Sequence, residues 1–315
     1  MIRVLKALGT EPTPERPGPG PIPESLLKAL ELTIARRVEG LLAGDHRSAL
    51  LGRGTELAQV RPYVPGDDVR LIDWNVTART TEPHVRVHLA ERVLVTWIVL
   101  DTTPSMAFGT QERRKADVAL GATLALGHAA TIRGNRVGLV GFGGGPPRIV
   151  PPRQGRVGLV GLLLALRDGH EPARELAGVG EGPTPLAAAL RTLGGVARQR
   201  SFVAVVSDFR GERDWRGPLL QLAGRHEVAA LEVRDPREQE LEPAGTLWLV
   251  DPESGRELRV DTDDPRLRAR FAEAADAERA AVAHELAKSG VAHVTLSTDR
   301  DWLRDLALFV RRRRP

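Results

Sequence analysis

Asp101, Thr103 and Ser105 fall at alternate positions of the segment Asp-Thr-Thr-Pro-Ser, so one tight loop carries a carboxylate and two hydroxyls. Oxygen ligands alone suit a hard cation, Mg²⁺ first and Mn²⁺ or Ca²⁺ as alternatives, with the remaining positions left to water or to a partner's carboxylate. Two further segments supply matching groups. In Gly182-Pro-Thr-Pro-Leu186 the hydroxyl of Thr184 opens an apolar helical run, and Val203-Ala-Val-Val-Ser-Asp208 ends a β-branched run in a carboxylate. Each has a plainer account when taken singly: Ser105 and Thr184 as helix N-caps, Asp208 as a strand-end residue capping the next turn. The three segments together, two of them preceded by apolar strands, favour an oxygen-only cluster of Asp101, Thr103, Ser105, Thr184 and Asp208. With only two charged ligands, a cation held there keeps electrophilic character towards an incoming anion.

Gathering these groups requires parallel strands that finish on one edge. The run Val93–Leu100 is apolar but for the β-branched Thr96, as expected of a strand buried on both faces. The carboxyl edge of an open α/β sheet is where ligands bind. Strands are predicted at 93–100, 136–142, 201–207, 226–233 and 291–297, alternating with helices at 112–133, 155–167, 184–198, 214–224, 264–289 and 300–312. That alternation predicts an α/β fold with a doubly wound, mostly parallel sheet. Two alternating runs around Pro252-Glu-Ser-Gly255, spanning 246–260, read as a β-hairpin insertion extending the sheet edge. The glycine-rich stretch Gly141–Gly145 reads as a tight turn into a short strand near Arg148–Val150, because it lacks the G-x-G-x-x-G spacing of a phosphate cradle.

Upstream, prolines at nearly every second place of 10–23 exclude helix and ladder, so 1–23 is read as a flexible Pro/Gly-rich lead-in. Leu26, Leu27, Leu30, Ile34, Val38, Leu41 and Leu42 mark one amphipathic helix over 24–43. Short β-like runs broken by Pro65-Gly66 and Pro83 follow. Residues 24–91 thus form a small N-terminal helical and β accessory region, and 92–315 the α/β domain.

Composition narrows the functions. The 315 residues are 42% hydrophobic and contain no cysteine, which excludes disulfides, thiolate metal sites and cysteine catalysis. The net charge is only +4, and the pI of about 10.0 reflects an arginine-rich chain with four lysines. Arg311–Arg314 reads as a solvated helix end, so no nucleic-acid partner is expected. The longest apolar run is far below the roughly 20 residues of a membrane span, and no signal-peptide pattern is present. A soluble, cytoplasmic protein is expected. There is no Walker lysine loop and no G-x-S-x-G elbow. His84 and His88 stand four apart in a strand-like segment without a third His or Cys nearby, a poor zinc site.

A second text stands at 61–79. Arg61, Arg70 and Arg79 alternate with Asp67, Asp68 and Asp73, which predicts an internal salt-bridge network covered by Tyr63 and Trp74, with Gly66 at positive φ in the turn. A two-metal nuclease site on the three aspartates is disfavoured, because the neighbouring arginines would neutralise them.

The Asp101 loop, the Gly-x-Thr-x-Leu segment and the strand-end Asp208 resemble the metal-ion-dependent adhesion site of von Willebrand factor A domains, whose first motif is usually D-x-S-x-S. Thr103 replaces a serine and keeps the hydroxyl. The resemblance implies that Asp101, Thr103 and Ser105 hold the metal from the first loop, Thr184 from the second and Asp208 from the third, the sixth position going to an acidic side chain of a protein partner. The stretch Arg61, Tyr63, Pro65, Gly66, Asp67, Asp68, Arg70, Ile72, Asp73, Trp74, Ala78, Arg79 resembles the hallmark R-x-Y-x-P-G-D-D-x-R-x-I-D-W…A-R of the family called domain of unknown function 58. The two resemblances imply a non-enzymatic, metal-dependent protein–protein interaction module, an adaptor beside a MoxR-type AAA+ ATPase. Two alternatives stand: a metal-dependent hydrolase (phosphatase or nuclease), and a scaffold with a vestigial metal site.

Overall fold

A computed structural model describes residues 18–20, 51–89, 95–109, 112–131, 135–168, 184–250 and 257–312. They fall into two compact units, one within Glu39–Val93 and the other made of the rest. The helix predicted over 24–43, and the lead-in apart from Gly18–Gly20, lie outside the described residues.

In the smaller unit β1 (Leu51–Pro62) pairs antiparallel with β2 (His84–Leu89). Between them a 3₁₀ turn, Val69–Leu71, leads into a short helix α1 (Trp74–Thr80) where the sequence suggested only β-like runs. The helix forms because Asp73 caps it, its Oδ1 accepting from the amides of Asn75 (3.0 Å) and Val76 (3.2 Å). Thr81, at φ 61°, stops it in a left-handed conformation.

The larger unit is built on a six-stranded sheet of β3 (Val95–Asp101), β4 (Arg136–Phe142), β5 (Arg148–Gln154), β6 (Phe202–Ser207), β7 (Glu227–Arg234) and β10 (Ala292–Ser297). Their spatial order is β10-β7-β6-β3-β4-β5, all parallel except β5 at the edge, which runs antiparallel to β4. The chain winds outward from β3 to β5, then returns to β6 and winds the other way. The β3/β6 junction is therefore the topological switch point of a doubly wound sheet. Six helices fill the connections: α2 (Lys115–Thr131), α3 (Gly155–Asp168), α4 (Pro185–Val196), α5 (Arg216–Ala223), α6 (Pro265–Lys288) and α7 (Trp302–Arg312). The predicted hairpin exists as β8 (Thr246–Val250) and β9 (Glu257–Asp261), but it forms a separate two-stranded sheet and does not extend the main one.

Every residue of β3 is buried. Val95, Trp97 and Val99 share one core with Leu186, Leu190 and Leu193 of α4, Leu219 and Leu222 of α5, and Val282 and Leu286 of α6. By strand alternation Ile98 and Leu100 face the opposite layer, where Val118, Ala122 and Leu126 of α2 are buried. Two cores thus explain one largely apolar run. Gly138 lies opposite Trp97 on β4, where a methyl group would come within 2.8 Å of the indole. The three described lead-in residues are anchored: Trp302 donates its indole N–H to the Pro19 carbonyl at 3.2 Å.

Candidate functional site

Asp101 ends β3 with its carboxylate almost fully buried. Its Oδ1 accepts from the Thr103 amide (2.9 Å) and the Thr103 hydroxyl (2.6 Å), and its Oδ2 accepts from the Ser207 hydroxyl at the end of β6 (2.5 Å). Thr103 Oγ1 and Ser105 Oγ stand 3.0 Å apart. Since the single Thr103 proton goes to Asp101, Ser105 must donate to Thr103, which leaves both Ser105 lone pairs uncommitted. The first loop therefore directs its hydroxyl protons towards Asp101 and Thr103 and leaves hydroxyl lone pairs unused among the described residues.

Asp208 follows β6 and is also buried, yet it is held from behind. Its Oδ2 accepts from Lys115 Nζ at 2.8 Å and its Oδ1 from the Arg210 amide at 3.1 Å. Lys115, at the start of α2, has no exposed surface, and it also donates to Glu238 Oε1 at 2.6 Å. Arg210 lies 3.2 Å from the other Glu238 oxygen. Glu238 closes a capping box with Asp235 after β7, and Asp235 accepts from the Thr298 hydroxyl after β10 at 2.7 Å. Buried polar groups thus link the loops after β6, β7 and β10 to the start of α2. Phe209, between Asp208 and Arg210, adopts φ 53°, a left-handed conformation that is strained for a bulky side chain. Its fully buried ring, edge-on to Trp215 with centroids 5.6 Å apart, holds it there.

The two aspartates carry opposite perturbations. Burial pushes Asp101 up to about 7, the neighbouring Asp208 charge adds to this, and the bonds from Ser207 and Thr103 oppose it. Burial acts in the same sense on Asp208, but the Lys115 ammonium and Arg210 override it and hold that carboxylate down at about 2. Lys115, though burial disfavours its charge, is kept protonated by Asp208 and Glu238.

Thr184 caps α4, the helix that runs back from the carboxyl edge to the start of β6. Its hydroxyl donates to Asp214 Oδ1 (2.5 Å), its amide donates to Asp214 Oδ2 (2.9 Å), and its oxygen accepts weakly from the Ala187 amide (3.3 Å). Among the described residues no hydrogen bond joins Thr184 to the Asp101 loop. The structure therefore bonds Asp101, Thr103 and Ser105 together, sets Asp208 close enough to act on Asp101 by its charge, and ties Thr184 to Asp214. A cavity of about 630 Å³ lies along β10, three strands from β3, and is lined by none of the five.

Sequence reasoning missed Ser207, Lys115, Glu238, Arg210 and Asp214. A signal existed for Lys115 alone: it is one of four lysines in an arginine-rich chain and sits where a helix N-terminus disfavours a cation. Nothing local marks Glu238, because its partner is 123 positions away.

The 61–79 text resolves into separate pairs and not one network. Arg61 makes a two-pronged bond to Asp67 (2.8 and 2.7 Å), and Asp67 also accepts from the Val64 amide, closing a turn in which Gly66 has φ 111°. The hydrogen bond from Arg61 and that from the Val64 amide lower the Asp67 pKa. Asp68 accepts from the Arg70 amide, while the Arg70 guanidinium reaches it only at 3.5 Å. Asp73 pairs with Arg86 at 2.9 Å, a partner outside the predicted set, and Arg79 donates instead to the Asn75 carbonyl. Trp74 does not cover these pairs: 71% of it is exposed. Tyr63 is half-buried.

The winding order and the polar edge at its switch point define a doubly wound, mostly parallel α/β domain. Residues 59–281 match the family described as "Protein of unknown function DUF58", and the chain belongs to it. Uncharacterized proteins of Mycobacterium bovis and Mycobacterium tuberculosis are each 42% identical over 294 residues, covering 91% of this chain and 89% of theirs. Among solved structures, BatB from Bacteroides thetaiotaomicron is similar at a TM-score of 0.43 and 16% identity, over 70% of this chain and 98% of that one. A von Willebrand factor type A protein from Catenulispora acidiphila is similar at a TM-score of 0.35 and 13% identity, over 73% and 43%. Among the described residues no helix is long and apolar enough to cross a membrane.

Proposed function

We propose that this protein is a non-enzymatic interaction module whose carboxyl edge binds a divalent cation, Mg²⁺ first, and through it an acidic side chain of a protein partner. The observation that carries the reading is the hydroxyl pattern: the Thr103 and Thr184 protons point at carboxylates and the Ser105 proton at Thr103, which frees hydroxyl lone pairs at the switch point. Asp101, Thr103, Ser105 and Thr184 would hold the ion. Asp208, whose oxygens each accept one hydrogen bond among the described residues, would join them, its charge partly offset by Lys115. A cation would supply an electrophilic site for an incoming carboxylate. The chain's own residues orient the ligands: Ser207 fixes Asp101, Lys115 fixes Asp208 and Asp214 fixes Thr184. The adaptor role beside a MoxR-type AAA+ ATPase rests on the family resemblance.

Calorimetric titration of Mg²⁺ into wild type and Asp101→Ala tests the site. Heat lost in the variant, together with Mg²⁺-dependent retention of a MoxR-type ATPase by wild type only, is the expected result, and equal heats would leave a scaffold with a vestigial site. A hydrolase reading would need a general base beside the metal. Turnover of phosphomonoester or nucleic-acid substrates with Mg²⁺ or Mn²⁺, lost in Asp101→Asn, would favour it.

A further inference from the structure

The flank of the α/β unit formed by α2, β4, β5 and α3 has an unusual charge balance: no Asp or Glu occurs between Asp117 and Asp168. On its outer side α3 exposes Val157 (69%), Val160, Leu163 and Leu164, while Gly158 and Leu162 face inward. Leu162 reaches α2 where Gly127 leaves room, a methyl there coming within 2.5 Å of it. The outward side chains cover one face, with 157, 160 and 164 at the spacing of a helix-packing seam. At the amino end of α3 the register Arg136↔Gln154 and Val137↔Arg153 brings Arg136 and Arg153 to the same end of the sheet as Arg156. All three are exposed and make no hydrogen bond or ion pair among the described residues.

We infer that this face docks an acidic amphipathic helix of a partner protein, whose apolar stripe lies along Val157, Val160 and Leu164 and whose carboxylates meet Arg153 and Arg156. The helix seam selects a helical occupant, and arginines without neighbouring carboxylates select an acidic one. A second copy using the same face would bring no carboxylate from residues 118–167 to these arginines. A membrane surface fits less well, since residues 148–165 hold no Trp, Tyr, Phe or Lys of the kind that anchors interfacial helices. The site lies at the end of the strands opposite Asp101 and is independent of any cation.

The test uses the full chain in EDTA, so that its outcome is separate from that of the metal edge. Fluorescence anisotropy is measured with a synthetic helix of about 16 residues carrying Leu at i, i+3 and i+7 and Glu elsewhere, against the same peptide with Lys for Glu. The Glu peptide is expected to bind and the Lys peptide not. Binding should weaken about tenfold or more in Val160→Asp/Leu164→Asp and in Arg153→Glu/Arg156→Glu, and in about 0.5 M salt. All four positions are exposed, and unchanged circular dichroism melts confirm that the variants fold. Equal binding of the two peptides, or indifference to both variants, overturns the proposal. So does a wild-type dimer, or sedimentation with phosphatidylglycerol vesicles, that Val160→Asp/Leu164→Asp abolishes while the Glu peptide fails to bind.

Discussion

The edge around Asp101 and the turn around Asp67 and Asp73 both set aspartates beside basic groups, and they treat the charge in opposite ways. In the turn each carboxylate caps backbone amides and meets an arginine whose own side chain is partly exposed, so Asp67 and Asp73 are held below their ordinary range by those bonds. At the edge the carboxylates are buried, and their environments diverge: Asp101 is pushed up to about 7 while Asp208 is held at about 2. Satisfied carboxylates shape a loop. A buried pair driven apart in this way marks a place built for something to bind or react. The more recognisable text in this chain therefore shapes its own loop, and the plainer D-x-T-x-S loop is the candidate site.

The most damaging way to probe that contrast is Lys115→Met. It leaves Asp208 and Glu238 buried without their ammonium, and urea unfolding should show a loss of about 3–5 kcal/mol. Arg61→Ala, which removes a partly solvated partner in the turn, should move the midpoint far less. A milder effect at Lys115 than at Arg61 would erase the distinction.

A change of pH separates the regions by sign. Asp101 has a raised folded pKa, so its stabilising contribution is complete below the unfolded value of about 3.9 and is lost as pH rises through about 7. Asp67, Asp73 and Asp208 are lowered, so theirs is present above about 3.9 and is lost as pH falls below it. In EDTA, protection factors at the ends of β3 and β6, corrected for the base-catalysed intrinsic exchange rate, should fall between about pH 5 and 7 while those in β1 and β2 stay unchanged. Asp101→Asn should flatten the response, and saturating Mg²⁺ should oppose it. A response shared by both regions would contradict the assignment.

Asp73→Ala sharpens the other half of the comparison. Loss of two capping bonds and the Arg86 pair should abolish exchange protection around Asn75 and Val76 and leave Mg²⁺ heats as in wild type. The smallest effect is expected from its neighbour, because Trp74→Ala removes a side chain that is 71% exposed and should shift stability within about 0.5 kcal/mol.

The strands and helices of the α/β unit were legible because each follows from a local period: β3 from a largely apolar run, α4 from Leu186, Leu190 and Leu193 at helical spacing after the Thr184 cap. Helix α1 was not, because seven residues are too few to show a period and only the Asp73 cap announces it. The hairpin at 246–261 was legible as a hairpin, but its place was not, because local alternation does not say which sheet a strand joins.

For the candidate site the division is the same. Sequence alone determined which oxygens stand at strand ends and loop starts, because Asp101, Thr103, Ser105, Thr184 and Asp208 are positioned by their own local elements. Tertiary structure alone decided what surrounds them: the Lys115–Asp208 and Lys115–Glu238 contacts span 93 and 123 positions, and Ser207 meets Asp101 across 106. Local periodicity can aim a side chain at an edge, but burial and the charge across from it exist only once distant strands have come together, and those are what set each carboxylate's proton affinity.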